Sequence, residues 1–317
     1  MPALPDSSSM TEPSSPWQNC GTGVSPVVFT VKNGVFKPLF SLSPRAASLK
    51  LLKAEAMDRL IDSHCHLTFD GLHKQVGAVM DRAMTAGVAE SITVAENVED
   101  ANRALALSAE YPGVHVVAGI HPHGAAKVQN DWDIALLEIV QREDVYAVGE
   151  MGLDYHYDYS DRASQMRVFR RQLEIAMGVG KPVVIHCREA LGDTIATLAE
   201  FPALAGVVFH CFTGSEAEAR EILDQGYWLS LTGVVTFKKS AELRQVAEMM
   251  PADRLMIETD APYLSPEPMR QVRPNEPALL VHTAACVAEQ RRMSLSDLAA
   301  QTVANTRRFF SLPVMSE

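Results

Sequence analysis

From residue 58 onward, short β-branched runs alternate with longer amphipathic ones eight times over, and few folds accommodate that pattern. The runs 60–66, 90–95, 114–120, 145–150, 182–187, 206–211, 227–232 and 255–260 read as strands. Between them lie helical patterns such as Ser164 to Gly180, where Met166, Phe169, Leu173 and Ala176 recur at three- and four-residue spacing. Gly87, Gly113, Gly180 and Gly226 punctuate helix ends, where a left-handed residue commonly stops the last turn. Eight strands, each followed by a helix, make an α/β (β/α)8 TIM barrel the economical reading. An open doubly wound sheet is the alternative, but no Gly-x-Gly-x-x-Gly loop follows the first strand. Two further helices, over 276–291 and 295–310, are expected near or beyond the eighth strand, packed on the outside.

The amino-terminal segment breaks this pattern. Residues 1–57 carry clusters such as Asp6-Ser7-Ser8-Ser9 and Pro13-Ser14-Ser15-Pro16, with little periodicity. That composition predicts a disordered extension. It lacks the basic run and apolar stretch of a secretory signal, and Asp6, Glu12 and Glu55 weigh against a transit peptide. The expected domains are the extension, 1–57, and a barrel, 58–317. Met57, just before the first strand, is an alternative start, on which reading residues 1–56 are not part of the native protein.

Charge and cysteine usage narrow the function. The net charge is -11; five basic and three acidic residues give the extension +2, leaving -13 for the rest. Broad phosphate-tracking surfaces are basic, so contact with DNA or RNA is expected to be local, at a small metal-neutralised site. Five cysteines in a chain of 317 residues make no disulfide framework, which points to a reducing, cytoplasmic setting. No apolar run of about 18 residues supports a membrane-spanning helix. The oligomeric state is not fixed by the sequence; a monomer is compatible with it.

In barrels of this kind the chemistry sits at the carboxyl ends of the strands. There the first strand carries His64 and His66, the fourth Glu150, the fifth His186, the sixth His210 and the eighth Asp260. Residues two apart on a strand share a face, so His64 and His66 project side by side. Four imidazoles and two carboxylates exceed the needs of one tetrahedral ion. Two divalent ions account for all six, with His64, His66 and Asp260 on one, His186 and His210 on the other, and Glu150 bridging. Mixed nitrogen and oxygen donors suit zinc, manganese or, less comfortably, magnesium.

Other residues surround this set. Arg188 shares the direction of His186 and is a candidate phosphate clamp. His121 and His123, after the third strand, and Arg273 are further candidates for substrate contact. Asp62 and Glu258, one pleat deeper, are expected to orient ligating imidazoles. Tyr155, Tyr157 and Tyr159 offer stacking surface or loop packing. Cys65, Cys187 and Cys211 each follow a candidate ligand and are expected to face the helices as small buried residues.

From Leu60 to Phe310 the chain resembles the TatD family of metal-dependent deoxyribonucleases, within the amidohydrolase-like barrels. The resemblance rests on Asp62-Ser63-His64-Cys65-His66-Leu67, Gly119-Ile120-His121-Pro122-His123 and Gly149-Glu150-Met151-Gly152-Leu153-Asp154-Tyr155. It continues through His186-Cys187-Arg188-Glu189-Ala190, His210-Cys211-Phe212-Thr213-Gly214 and Glu258-Thr259-Asp260-Ala261-Pro262-Tyr263-Leu264. Arg273-Pro274-Asn275-Glu276-Pro277 and Asn305-Thr306 complete it. It implies a barrel hydrolase with one or two divalent ions acting on DNA phosphodiesters, often from the 3′ end, and carries over the same six ligands. The amino-terminal extension has no counterpart in the family pattern. On this reading a metal-activated water attacks phosphorus in line, with Asp260 as both ligand and proton acceptor. Two alternatives remain open: a hydrolase of an ester or C–N bond, such as an aminoacyl-tRNA ester, and a non-catalytic binding protein on an inactive barrel.

Overall fold

A computed structural model describes residues 59–157 and 159–313. The expected extension, its boundary at residue 58 and the alternative start at Met57 lie outside the described residues. Eight strands, β1 (Leu60–Cys65), β2 (Val88–Ala95), β3 (Val114–Ala118), β4 (Val145–Asp154), β5 (Val183–Arg188), β6 (Val207–Phe209), β7 (Trp228–Leu231) and β8 (Leu255–Ile257), follow one another in sheet order. Every neighbouring pair is parallel. The ring closes where the chain following β8 meets the end of β1. There the Asp260 N–H donates to His64 O at 3.0 Å and the His66 N–H donates to Ala261 O at 2.7 Å. The barrel reading holds.

Helices cover the strands. A single turn, α1 (Asp70–His73), precedes α2 (Val76–Ala86), and α3 (Val98–Glu110), α4 (Trp132–Val140) and α5 (Arg162–Val179) follow β2, β3 and β4. After β5, β6 and β7 come α6 (Leu191–Ala199), α7 (Glu216–Asp224) and α8 (Ala241–Met249), and the described chain ends with α9 (Leu280–Gln290) and α10 (Leu295–Phe310). Local chemistry sets their ends. The Asp161 side chain accepts from the Ser164 N–H at the start of α5, and Ser215 with Glu218 forms a reciprocal capping box at the start of α7. Gly87, Gly180 and Gly226 take positive φ as expected, but Gly113 does not. A Cβ at Gly113 would stand 2.7 Å from Ala89 O, so close backbone approach is what requires glycine there.

An apolar cluster fed by all eight strands, including Ile61, Val117, Val184 and Met256, fills the barrel. Phe309, Phe310 and Leu312, at and beyond the end of α10, belong to the same cluster. The Phe309 ring meets Trp228 edge-on at 5.5 Å and lies near Gly206 and Pro182, which precede β6 and β5. The last helix is therefore not only an outer layer: its end closes the floor, opposite the carboxyl ends of the strands. Asn305 anchors it by donating to Ala252 O and Leu255 O, each at 2.8 Å, ahead of and within β8. Buried Glu90 pairs with His115 at 2.8 Å and with Arg307, tying β2, β3 and α10 together.

Candidate functional site

The six candidate ligands meet at the carboxyl ends of the strands. His64 lies on β1 with His66 just beyond it, Glu150 on β4, His186 on β5, His210 directly after β6 and Asp260 three residues after β8. Glu150 reaches the cluster through a bulge: Val148 pairs with Val183 but Met151 with Ile185, so β4 carries one extra residue. Gly149 (φ 149) and Gly152 (φ 142) bracket it, and a Cβ on them would meet Val184 O at 2.6 Å and His186 O at 2.0 Å. Only glycine serves at either place. Asp260 itself has φ 53, a left-handed conformation uncommon outside glycine and held here by the closing bonds of the barrel.

Glu150 is the hub. Its Oε1 lies 2.6 Å from His210 Nε2, 2.8 Å from His186 Nδ1 and 3.4 Å from His121 Nε2. Its Oε2 lies 3.5 Å from His64 Nε2 and 3.9 Å from His66 Nε2. Asp260 Oδ1 stands 3.6 Å from His66 Nε2 and 3.9 Å from His64 Nε2. Three triplets each place their donor atoms within 4.8 Å of one another: His64, His66 and Asp260; His64, Glu150 and His210; and His121, His123 and His186. The first is the set expected from the sequence. The second differs, since His210 stacks on His64 at 4.0 Å between ring centroids while His186 groups with His121 and His123.

Hydrogen bonds on the far side of three of the rings assign their protons. His66 Nδ1 faces Val94 O at 3.0 Å; a carbonyl only accepts, so that nitrogen carries hydrogen. His210 Nδ1 faces Glu258 Oε1 at 3.3 Å, and His186 Nε2 faces Asp154 Oδ2 at 2.9 Å. In neutral rings the opposite nitrogens are then bare lone pairs, all turned towards the carboxylates of Glu150 and Asp260. Acceptors facing acceptors repel unless cations stand between them, so this donor set fits divalent ions. His64 Nδ1 is buried with no hydrogen-bond partner.

The titration of these groups follows from the same crowding. Burial works against charge on His66, yet Asp260, Glu96 and Glu150 hold its pKa up at about 9. Burial opposes charge on His210 too, and Glu150 and Glu258 nonetheless keep it well above the usual imidazole range. Glu150 is pushed up by burial and pulled well below the usual carboxylate range by His210 and His121. For Asp260, burial is outweighed by His66, His210 and His64, which hold it low. Where cations are missing, protons on imidazoles balance the carboxylates.

The remaining predicted residues fall in different places. His121, expected at the substrate rim, is buried against Glu150 and lies 3.3 Å from His186 Nδ1. His123 is half-buried and shares Asp154 Oδ2 with His186, at 2.9 Å from each. Arg188 is exposed at the end of β5, its guanidinium 4.6 Å over the Tyr157 ring. Arg273 is exposed on the loop after β8; neighbouring Asn275 pins that loop by donating to Thr259 O at 3.0 Å and Tyr263 O at 2.5 Å. Glu258 orients His210 as expected and also bonds Ser230. Asp62 does not touch an imidazole: it accepts from the Thr259 N–H at 2.9 Å and the Thr259 hydroxyl at 2.5 Å, lacing β1 to the segment after β8. A register shift between Asp62 and Cys65 breaks the alternation on which the expectation rested.

Asp154 carries a role that reading the strands did not assign. The expected fourth strand stopped at 150, whereas β4 runs to Asp154 and brings its carboxylate under two histidines. The spacing Glu150-x-x-x-Asp154, directly after a glycine-flanked bulge, was the available signal. Tyr155 is turned away, its hydroxyl donating to Asp193 at 2.7 Å, while Tyr157 and Tyr159 stay at the rim. Cys65 is buried and donates to Ile92 O at 3.4 Å, and Cys187 and Cys211 are half-buried beside Thr194 and Thr232.

A barrel whose strand ends gather imidazoles and carboxylates around a central glutamate defines a metal-dependent hydrolase. Residues 61–311 match the family described as TatD related DNase. The chain is 37% identical over 255 residues to the Bacillus subtilis protein named uncharacterized metal-dependent hydrolase YabD, covering 80% of this chain and 99% of that one. It is 36% identical over 258 residues to the 3'-5' ssDNA/RNA exonuclease TatD of Citrobacter koseri, with coverage of 80% and 99%. The crystal structure of YJJV, a TatD homologue from Escherichia coli K12, superimposes with a TM-score of 0.77 at 30% identity, over 81% of this chain and all of that one. This chain belongs to the TatD family of metal-dependent hydrolases. Among the described residues no helix is long and apolar enough to cross a membrane.

Proposed function

We propose that the chain is a metal-dependent deoxyribonuclease, a 3′–5′ exonuclease that hydrolyses phosphodiester bonds of DNA held by a short, local contact. Two divalent ions, zinc, manganese or magnesium, are held by His64, His66, Glu150, His186, His210 and Asp260. One observation carries this reading: Glu150 turns Oε1 to His186 and His210 and Oε2 to His64 and His66, a carboxylate set between two groups of imidazole nitrogens. The name of the Citrobacter koseri relative supports the choice of nucleic acid as substrate. The thiols at Cys65, Cys187 and Cys211 are free, which fits a cytoplasmic enzyme.

Bound divalent ions supply Lewis acidity that makes water a nucleophile at neutral pH and offsets the charge that develops on phosphorus. The protein supplies the rest. The Asp260 side chain is 13% exposed against 3% for Glu150, which places it at the mouth of the cluster. Held anionic by the surrounding imidazoles, it accepts the proton of the attacking water. Arg188, exposed beside the site, grips non-bridging phosphate oxygens through its planar fork of donors. His123 and Arg273 provide further substrate contacts, and His121 braces Glu150 and His186 from below the rim. Asp154 and Glu258 fix the rings of His186 and His210.

The test is incubation of purified protein with end-labelled single- and double-stranded DNA and Mg²⁺, Mn²⁺ or Zn²⁺, beside a His64→Ala His66→Ala control. Metal-dependent shortening from the 3′ end, absent in the control, is the expected result. No cleavage with any ion would transfer the reading to an ester or C–N bond.

A further inference from the structure

Three large aromatic side chains among the described residues are more than a third exposed: Phe69 at 43%, Tyr159 at 48% and Tyr263 at 38%. All three stand at the rim around the histidines. A scattered exposed aliphatic residue needs no account, but aromatic rings gathered at one opening do. They form two groups. Tyr263, after β8, stands edge-on to His66 at 6.3 Å, and Phe69, after β1, stands edge-on to Tyr263 at 6.2 Å. Tyr157 and Tyr159, after β4, are parallel to within 1° at 5.5 Å, with His123 edge-on to Tyr159 at 4.8 Å. Strands run β1 to β8 in order around the ring, so the loop after β4 faces the loops after β8 and β1 across the opening. The ligand cluster lies between them.

Each group is built into the site rather than loosely beside it. The Tyr157 N–H donates to Asp154 Oδ1 at 2.9 Å, so the carboxylate that orients His186 also holds the tyrosine loop. The Arg188 guanidinium lies over Tyr157 and puts a cation next to the ring pair. Tyr263 is held by its N–H to Asp260 O at 2.9 Å and by Asn275 on its own carbonyl.

We propose that the two groups are nucleobase platforms flanking the scissile phosphodiester: the base on one side of it stacks on Tyr159, the base on the other on Tyr263. This rests on the nuclease reading above and gives a physical basis for single strands, which the name of the Citrobacter koseri relative already specifies, since a base in a duplex already has both faces stacked. Stacking also answers the charge problem. A chain with a net charge of -11 gains little from long-range attraction to phosphates, and ring faces grip a strand without it.

The experiment uses the full chain with its activating ion and single-stranded oligonucleotides in which an abasic residue replaces the nucleotide on the 5′ or the 3′ side of the bond cleaved. Wild type is expected to favour the fully base-bearing strand over each abasic strand by about 5- to 100-fold in kcat/KM. Tyr159→Ala abolishes that preference at one position and Tyr263→Ala at the other, with the loss on the base-bearing strand falling on KM. Tyr159→Phe and Tyr263→Phe restore it, because the ring and not the hydroxyl does the stacking. A wild-type enzyme that cleaves DNA but shows the same discrimination in both alanine variants overturns the platforms and leaves the nuclease reading intact. Loss of discrimination at one shared position in both variants also overturns the bracket. Absence of cleavage by wild type with any ion removes the nuclease reading and the platforms with it.

Discussion

Asp154 Oδ2 accepts a hydrogen bond from His186 Nε2 at 2.9 Å, and that bond decides which nitrogen of the ring faces Glu150. With hydrogen on Nε2, Nδ1 is left bare at 2.8 Å from Glu150 Oε1. An asparagine in place of Asp154 keeps the acceptor that holds the Tyr157 loop and can turn a donor towards His186, reversing the tautomer. Asp154→Asn is expected to weaken divalent-ion binding about 10- to 100-fold without unfolding the barrel. Isothermal titration calorimetry checks this, and an unchanged affinity would remove Asp154 from the site.

Asp260 is assigned the proton of the attacking water. Asp260→Asn keeps the side chain's size and one oxygen but cannot take up that proton. Turnover on single-stranded DNA is expected to fall about 10²- to 10⁴-fold at full metal occupancy, with thermal stability close to wild type. A variant that keeps its ions and its rate would show that another group takes the proton.

The ion-free protein should depend on pH through His66. Its folded pKa, about 9, lies above the ordinary 6.5 because Asp260, Glu96 and Glu150 overcome the effect of burial. Protonation therefore stabilises the ion-free fold. That contribution is complete below pH 6.5 and is lost as pH rises through 9. Ion binding must displace the same proton, so affinity rises over the same window. Calorimetric melting of chelated protein from pH 6 to 9.5 is expected to show falling stability, with a shallower fall in His66→Ala. Parallel curves for the two proteins would contradict this account.

At the other end of the barrel, Phe310 is only 2% exposed and closes the floor. Phe310→Ala is expected to cost about 3–5 kcal/mol in urea unfolding, because it leaves a cavity under a core fed by every strand. Turnover should survive while the variant is folded, since the ligands occupy the opposite rim. A loss of activity that precedes unfolding would show that floor and rim are coupled.

Most of the barrel could be read from the sequence because its two periodicities, two for strands and 3.6 for helices, are written in apolar residues. The rim cluster was legible for a different reason: His64, His186 and His210 interrupt or end apolar runs, where only the carboxyl rim needs polar groups. Two expectations failed where a strand loses phase. The shift after Asp62 moves its carboxylate from the imidazoles to Thr259, and the bulge around Glu150 carries β4 on to Asp154. A period of two cannot announce its own slip. The grouping of His210 with His64, and of His186 with His121 and His123, was equally hidden, since it depends on ring contacts between strands. Phe309 and Phe310 read as an outer helix face because nothing local distinguishes a helix end that closes a floor.

The seam between β1 and the chain after β8 has a consequence for synthesis. Asp62 is bonded to Thr259 across 197 residues, and the same seam sets His64 and His66 beside Asp260. Loop closure over that separation costs more chain entropy than forming a local strand–helix unit. A chain still emerging from the ribosome holds His64 and His66 long before it holds Asp260, so a partly made protein cannot assemble this cluster. The complete cluster arrives only once the chain beyond the eighth strand is made, as a property of the finished ring.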